Sequence, residues 1–194
     1  QGNNLTLTLD TELQKITEEA FGTHRGALVA IEPSSGAILA MVSVPTFDPN
    51  LFVDGIRTDD WNLLNNSPDR PVINRAINGA YPPGSTFKPF MALAALEQGK
   101  RTAKQSIADP GYFTFGDHTF LDDKNGGLGI VDMYKSIVHS CNTYYYILAN
   151  DMGIDNIAKF MGTLGFGART GEGLLGFRSG NSAHGLLLCL FCTK

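Results

Sequence analysis

The sequence predicts an α/β fold in which a central antiparallel sheet is flanked by helices. Two apolar runs, residues 26–31 and 37–44, are separated by a segment with turn composition, Glu32–Gly36, and so predict a hairpin. After Ser85, apolar residues recur at the spacing of one helix face, and three more helical patterns follow between residues 132 and 165. Hydrophobic residues make up 43% of the 194 residues and charged residues 18%, which favours a packed core over disorder.

The N-terminal residues predict a strand followed by a helix. Leu5, Leu7 and Leu9 alternate with threonines, which is strand spacing. Asp10 or Thr11 is suited to cap the next helix. The apolar face of that helix comprises Leu13, Ile16, Ala20 and Phe21. After the predicted hairpin, prolines and glycine make residues 46–79 a loop-rich passage.

The stretch Tyr81–Pro89 combines a structural break with a reactive pair of side chains. Its two adjacent prolines and its glycine end the preceding segment, and Ser85 then begins a helix that Gly99 is suited to end. Ser85 and Lys88 lie three positions apart and share one helix face, where a hydroxyl and an amine form a nucleophile and a candidate base. The positive end of the helix and the apolar neighbours would both lower the pKa of the lysine.

The serine and lysine pair is weak evidence alone, because average residue usage gives about one chance S-x-x-K in a chain of this length. On that basis, a solvated lysine on an ordinary helix is the default interpretation. The proline-rich lead-in and the sharp start of the helix favour a catalytic role instead.

The residues after this helix predict a second hairpin and three helices. Between residues 112 and 120, aromatic and polar residues alternate around Gly116 and Asp117. Asp132 is suited to cap a first helix, a second begins near Thr143, and a third begins at Asp155.

The tripeptide Ser140–Asn142, between the first two of these helices, carries a second hydroxyl and a carboxamide. Such groups in a short turn would suit proton relay and an amide-bearing substrate. The alternative is that Ser140 and Asn142 only cap the ends of helices. Ser179–Asn181 has the same S-x-N form but lies in a glycine-rich region, so the first tripeptide is favoured.

Composition disfavours several functional classes. The net charge is −4 and the chain has no basic stripe, so no nucleic-acid partner is expected. The three cysteines form no disulfide framework, and nothing around Cys189 and Cys192 supports a redox or metal pair. The sequence shows neither a signal peptide nor a spanning helix, and its first residues look like an internal cut.

Several segments together resemble class B penicillin-binding proteins, which are penicillin-recognising serine enzymes. The S-x-x-K at Ser85 and the S-x-N at Ser140 lie 55 positions apart and match two signatures of these enzymes. Further similar segments are Gly26–Ile31, Phe47–Ile56, Asn74–Ala76 and Tyr81–Pro89. The Phe47–Ile56 segment and the Tyr-Pro-Pro-Gly form indicate the elongation type, penicillin-binding protein 2. The resemblance covers residues 3 to about 171 and implies a penicillin-binding protein/serine β-lactamase-like transpeptidase fold.

The resemblance implies a peptidoglycan D,D-transpeptidase that cross-links stem peptides during cell-wall elongation. Ser85 would form the acyl-enzyme, with Lys88 as its base. Ser140 would relay protons, and Asn142 would bind the peptide amide. β-Lactams would acylate Ser85, and no cofactor would be required.

The same resemblance implies a location and partners. The intact protein would act at the periplasmic face of the bacterial inner membrane, anchored by a helix upstream of this chain. Its partners would be peptidoglycan stem peptides, a glycosyltransferase of the elongation machinery, and scaffold proteins. The expected organisation is a lead-in over residues 1–25, the N-terminal part of a transpeptidase domain over 26–171, and an atypical tail over 172–194.

The family's third signature, K-T-G or K-S-G on an edge strand, is missing from the sequence. Arg169–Gly171 comes closest, but it matches the Gly-Phe-Gly-x-x-Thr-Gly segment after the helical subdomain. The resemblance fails beyond Gly171, so a C-terminally truncated domain with slow or no penicillin labelling is expected. The alternatives are a non-catalytic truncated homologue and a D,D-carboxypeptidase or β-lactamase-type hydrolase.

Members of the family can carry zinc beside the active serine, held by two aspartates, a histidine and the cysteine of S-x-N. Three of these positions are matched here, by Asp109, Asp122 and Cys141. The histidine position is Leu128, while His118 and His139 are out of register. Because zinc prefers four ligands, weak binding at best is expected.

Overall fold

A computed structural model describes residues 3–168, which divide into two compact units, residues 3–80 and residues 81–168. The first unit contains α1 (Thr11–Phe21), β1 (Gly26–Ile31), β2 (Ile38–Val44), a 3₁₀ turn (Pro49–Phe52), α2 (Thr58–Asn66) and α3 (Arg75–Asn78). The expectations for Arg169–Gly171, Ser179–Asn181, Cys189, Cys192 and the tail 172–194 fall outside the described residues.

The predicted hairpin is confirmed. β1 and β2 pair antiparallel, with Gly26 opposite Val44 and Ala30 opposite Ala40. Ala40 and Val42 are buried, whereas every residue of β1 is at least partly exposed. The described residues therefore contain this hairpin as a two-stranded sheet, which is smaller than the central sheet that the sequence predicts.

The predicted strand over Leu5–Leu9 is wrong. These residues form no ladder, and Leu5 is 83% exposed. Two hydrogen bonds hold the segment to β2: the Thr8 hydroxyl donates to Ile38 O, and Asp10 N donates to Leu39 O. Alternating side chains specify a strand only where a partner strand supplies the rest of the ladder.

α1 begins as predicted. The Asp10 carboxylate accepts hydrogen bonds from the N–H groups of Glu12 and Leu13, which caps the helix. The Gln14 side chain both donates to and accepts from the backbone of Met41, which ties the helix to β2. The predicted apolar face is only partly covered, since Ile16 is 55% exposed.

The passage 46–79 is less irregular than its composition predicts, because it contains α2, α3 and a 3₁₀ turn. No residue of α2 is completely buried. A helix that buries no face lacks the apolar stripe by which a sequence pattern reveals an amphipathic helix. Two acidic residues in its first turn, Asp59 and Asp60, suit the positive end of a helix.

The second unit carries the remaining elements. They are a 3₁₀ turn (Gly84–Phe87), α4 (Lys88–Glu97), β3 (Ile107–Asp109), β4 (Tyr112–Phe115), β5 (His118–Leu121), β6 (Gly129–Val131), α5 (Met133–Val138), α6 (Asn142–Met152) and α7 (Ile154–Thr163). The hairpin β4–β5 and the three last helices are confirmed within about two residues of their predicted bounds. The sequence did not predict the antiparallel pair β3–β6, which joins Asp109 to Gly129.

The core of this unit lies where α4 packs against α6 and α7. Phe87, Met91 and Leu148 are almost fully buried there. Burial of side chains of this size stabilises a fold by roughly 1.5–3 kcal/mol each. Ala94 and Ala95 are also fully buried, and their small side chains let the helices approach closely. The helix start is corrected, since Ser85 lies in the 3₁₀ turn and the α-helix begins at Lys88.

Candidate active site

Three polar side chains from two distant parts of the chain form a continuous hydrogen-bonded path. Ser85 Oγ and Ser140 Oγ are 2.8 Å apart. Lys88 Nζ donates to Ser140 Oγ at 2.9 Å and to Ser140 O at 2.5 Å. Among the described hydrogen bonds, the path from Ser85 to Lys88 therefore runs through the Ser140 hydroxyl. The sequence did not predict this bridging position of Ser140.

Asn142 completes the group of predicted catalytic and binding residues. Its Oδ1 accepts a hydrogen bond from Lys88 Nζ at 2.6 Å. An ammonium or amine N–H must face an acceptor, so the carboxamide oxygen points to Lys88 and the carboxamide nitrogen points away from it. All four predicted residues, Ser85, Lys88, Ser140 and Asn142, are thus brought together.

The local fold exposes the nucleophile and buries the amine. Ser85 lies in the exposed 3₁₀ turn, where Gly84 has a φ of +54° that favours glycine. Lys88 is the first residue of α4 and only 4% exposed. A substrate can therefore reach the hydroxyl while the amine stays out of contact with bulk water.

Burial lowers the pKa of Lys88, because removing the amine from water disfavours its charged form. The negative charges of Asp122, Cys141 when ionised, and Asp123 act in the opposite direction without reversing the shift. The Tyr145 ring, 5.7 Å from Nζ, lies close enough to interact with the charged form. Lys88 therefore loses its proton at a lower pH than an ordinary lysine and is suited to act as a base.

Ser140 has a strained backbone. Its φ is +54°, a left-handed conformation that is uncommon for a residue other than glycine. Ser140 N donates to Ile137 O, and the next amide, Cys141 N, donates to Ser136 O. These bonds hold the turn between α5 and α6, and the turn aims the Ser140 hydroxyl at Ser85.

The three predicted metal ligands also come together, in the second unit. One ligand atom each from Asp109, Asp122 and Cys141 lies within 4.8 Å of the others, and all three residues are buried. Cys141 Sγ is 3.4 Å from Asp109 Oδ2 and 3.5 Å from Asp122 Oδ2. The cluster adjoins the hydrogen-bonded path described above, since Cys141 lies between Ser140 and Asn142 in the chain.

The protonation states in this cluster differ between its members. Burial raises the pKa of Cys141 to about 12, and the neighbouring carboxylates add to that shift, so the thiol keeps its proton near neutral pH. Burial also disfavours the charged Asp109, but hydrogen bonds from Gly111 N, Leu128 N and nearby side chains outweigh it and lower the Asp109 pKa.

The donor set does not fit a closed four-ligand zinc site. Leu128 N donates to Asp109 Oδ2 at 2.8 Å, so the residue at the histidine position lies beside the cluster but offers an aliphatic side chain packed on the core. His118 is exposed and meets the Phe120 ring edge to face, and His139 is exposed at the end of α5. Neither histidine belongs to the cluster. Weak zinc binding remains a prediction.

Sequence reasoning missed two residues that support the site. Thr143 N donates to Asp122 Oδ2 at 2.8 Å. Tyr145 places its ring beside Lys88 and its hydroxyl 3.1 Å from Ser136 Oγ. Thr143 lies next to Asn142 in sequence, but no residue spacing distinguishes either residue from ordinary members of a buried helix face.

Comparison with known proteins decides the family. The family model described as "Penicillin binding protein transpeptidase domain" matches residues 26–187. The chain belongs to this family. The match confirms the predicted family, and it extends to residue 187, beyond Gly171, where the resemblance was expected to end. The α/β transpeptidase fold is confirmed as well.

A relative and two solved structures agree with this membership. The peptidoglycan D,D-transpeptidase MrdA of Acinetobacter baumannii is 50% identical over 176 residues, which are 90% of this chain and 26% of the relative. A structure of Pseudomonas aeruginosa PBP2 in complex with WCK 5153 has a TM-score of 0.87 and 43% identity, over 92% of this chain and 41% of that one.

The second structure is a complex between PBP2 and MreC from Helicobacter pylori. It has a TM-score of 0.80 and 35% identity, and covers 84% of this chain and 30% of that one. The chain thus spans about a quarter of the curated relative that it matches. A search of the described helices finds no segment long and apolar enough to cross a bilayer.

Proposed function

We propose that this chain is the part of a peptidoglycan D,D-transpeptidase that carries the nucleophile and its proton relay. The observation that carries the proposal is the hydrogen-bonded path from Ser85 through Ser140 to Lys88. The pairing of an exposed hydroxyl with a buried amine of lowered pKa is the arrangement that nucleophilic catalysis needs.

The reaction begins when Ser85 Oγ attacks the carbonyl carbon of the penultimate D-alanine in a stem peptide. The Ser85 proton passes to the Ser140 hydroxyl, whose own proton passes to neutral Lys88. The C–N bond to the terminal D-alanine then breaks, and the leaving amine takes a proton back along the same path. The products of this half-reaction are free D-alanine and an ester on Ser85.

The second half-reaction reverses these proton movements. An amine of a neighbouring stem peptide attacks the ester, its proton passes through Ser140 to Lys88, and Ser85 regains a proton as it leaves. The Asn142 carboxamide nitrogen, directed away from Lys88, is suited to bind a carbonyl oxygen of the peptide. β-Lactams would acylate Ser85 by the first half-reaction.

The cellular location and the partners are inferred from the relatives, and they belong to the same proposal. We expect the intact protein to work at the periplasmic face of the inner membrane, where peptidoglycan is made. We expect it to work with a glycosyltransferase and scaffold proteins of the elongation machinery. The solved complex of a PBP2 with MreC supports a scaffold partner of this kind.

The test is covalent labelling with a fluorescent penicillin. The K-T-G signature is missing from this sequence, so the protein to be labelled is a chimaera. In this chimaera, residues 3–168 replace the matching segment of the Acinetobacter baumannii relative. We expect stoichiometric labelling of the chimaera, with the adduct on the Ser85 peptide by mass spectrometry, and no labelling of its Ser85→Ala variant. The 194-residue chain alone should label slowly or not at all.

Two outcomes would contradict the proposal. A folded chimaera that does not label, while the parent relative does, would show that Ser85 is not an activated nucleophile. An adduct that hydrolyses within seconds would indicate a β-lactamase-type hydrolase, since a transpeptidase keeps its penicilloyl ester long after labelling.

A further inference from the structure

The acidic cluster of the second unit joins elements that are far apart in sequence. Asp109 ends β3, Asp122 follows β5, Leu128 precedes β6, and Cys141 is the N-cap of α6. The cluster therefore connects both short sheets of this unit to the turn that carries Ser140.

The backbone holds both carboxylates of this cluster in place. All four carboxylate oxygens accept a backbone N–H at 2.8 Å. The donors are the amides of Gly111 and Leu128 to Asp109, and of Asp123 and Thr143 to Asp122. Backbone donors in this number stabilise buried carboxylates strongly.

The Cys141 side chain lies between the two carboxylates. Its sulfur is within hydrogen-bonding distance of Asp109 Oδ2 and Asp122 Oδ2, and it accepts a hydrogen bond from Tyr144 N at 3.4 Å. The side chain is completely buried. One side chain thus caps α6 and contacts both acidic residues.

We propose that this cluster is a metal-independent clamp that positions Ser140 and Asn142. Leu128 lies beside the cluster where a fourth metal ligand would be needed, and its aliphatic side chain cannot bind a metal ion. The backbone amides and the Cys141 thiol hold the two carboxylates instead. The clamp holds Cys141, whose two neighbours in the chain are Ser140, with its left-handed backbone, and Asn142. Cys141, Asp109 and Asp122 are positioning residues, because they act on the reaction through the backbone between Ser140 and Asn142.

Metal analysis tests the first part of this proposal. The 194-residue chain and its Leu128→His variant are purified, incubated with equimolar zinc, dialysed, and measured by plasma mass spectrometry. We expect about one zinc per Leu128→His chain and at least tenfold less in the unaltered chain. Stoichiometric zinc in the unaltered chain, or none in the variant, would overturn the proposal. A chelator that lowers the melting temperature of the unaltered chimaera would overturn it too.

The positioning role is tested with two variants of Cys141 in the labelling chimaera. Cys141→Ser retains a hydrogen-bond donor between the carboxylates, whereas Cys141→Ala removes it. The labelling rate of each variant is divided by the fraction of that variant that is folded. We expect the corrected rate of Cys141→Ala to be at least tenfold lower than that of the unaltered chimaera, and that of Cys141→Ser to be at most about threefold lower. Equal rates in both variants and the unaltered chimaera would contradict a positioning role.

The labelling experiment with the Cys141 variants rests on the proposed function, whereas the metal analysis does not. If the unaltered chimaera failed to label, the proposed function would fail while zinc content and chelator response still decided whether the clamp is metal-independent.

Discussion

At the scale of single residues, the site gives different solvent exposure to two side chains that are only three positions apart. Ser85 is exposed and Lys88 is buried, because the chain changes from a 3₁₀ turn to an α-helix between them. The two do not need a direct contact, since the Ser140 hydroxyl lies within hydrogen-bonding distance of both. Truncation of Ser140 should therefore disconnect the base as well as remove a hydroxyl.

The lowered pKa of Lys88 predicts a pH dependence. Burial favours the neutral amine, so the rate of penicillin labelling of the chimaera should rise with pH and level off with a midpoint below 10.5, the ordinary lysine value. Lys88→Arg keeps the charge but supplies no base near neutral pH, and it should slow labelling by about 10²–10⁴-fold. A midpoint at or above the ordinary value, or a fast arginine variant, would contradict this role.

The lowered pKa of Lys88 also makes the stability of the folded chain depend on pH. Since the folded chain holds the Lys88 proton less tightly than the unfolded chain, folding becomes more favourable as pH rises from the lowered pKa towards 10.5. Below the lowered pKa, the amine is charged in both states, and the full burial penalty remains.

The grouping of Ser85, Lys88, Ser140 and Asn142 could be predicted because S-x-x-K and S-x-N have fixed spacings and distinctive surroundings. Their connectivity could not be predicted. Whether Lys88 contacts Ser85 directly or through Ser140 depends on side-chain placement across 52 to 55 positions of chain. The support from Tyr145 was hidden for a similar reason, since an aromatic residue in a buried helix gives no sign of a nearby amine.

At the scale of elements, the short strands around the cluster depend on glycine. β3 and β6 have three residues each, too few for an alternating pattern, and so their pairing could not be predicted. The longer hairpins and the capped helices were predictable, because their patterns repeat and their caps are local. Gly127 lies where the loop before β6 approaches β3, in a left-handed conformation.

Gly127→Ala tests that close approach, with Gly126→Ala as its control. Both positions have a positive φ, so each substitution costs roughly 1–2 kcal/mol of backbone strain. A Cβ at Gly127 would lie 2.2 Å from Asp109 O, whereas one at Gly126 meets nothing within 4 Å. Overpacking should cost Gly127→Ala roughly 1–3 kcal/mol more.

Urea unfolding of the labelling chimaera and of both variants made in it measures the difference. Equal free energies of unfolding for the two variants would show that the two backbone segments are not in contact.

At the scale of the whole molecule, the described residues expose many large apolar side chains. Leu5, Val53, Leu63, Tyr134 and Leu121 are all more than 60% exposed. Single exposed apolar residues are ordinary, but an apolar groove is present in the first unit as well, lined by Ile16, Thr17, Ala20, Phe21, His24 and Leu28.

The exposed surface predicts that the isolated chain associates with itself. The β1–β2 hairpin adds unpaired backbone groups to this apolar surface, within the described residues. Light scattering after size-exclusion chromatography should show oligomers or aggregates at micromolar concentrations. A monomer with one sharp, cooperative thermal transition would contradict the prediction.

The distance along the chain between Ser85 and Ser140 sets an order for events during synthesis. Loop closure over 55 positions must precede any contact between the two hydroxyls, so a chain emerging from the ribosome cannot react until α6 has left the exit tunnel. Penicillin reactivity therefore requires that these two regions have met. For the labelling chimaera, ribosome-bound chains of any length that still holds Ser140 inside the exit tunnel should not label at all.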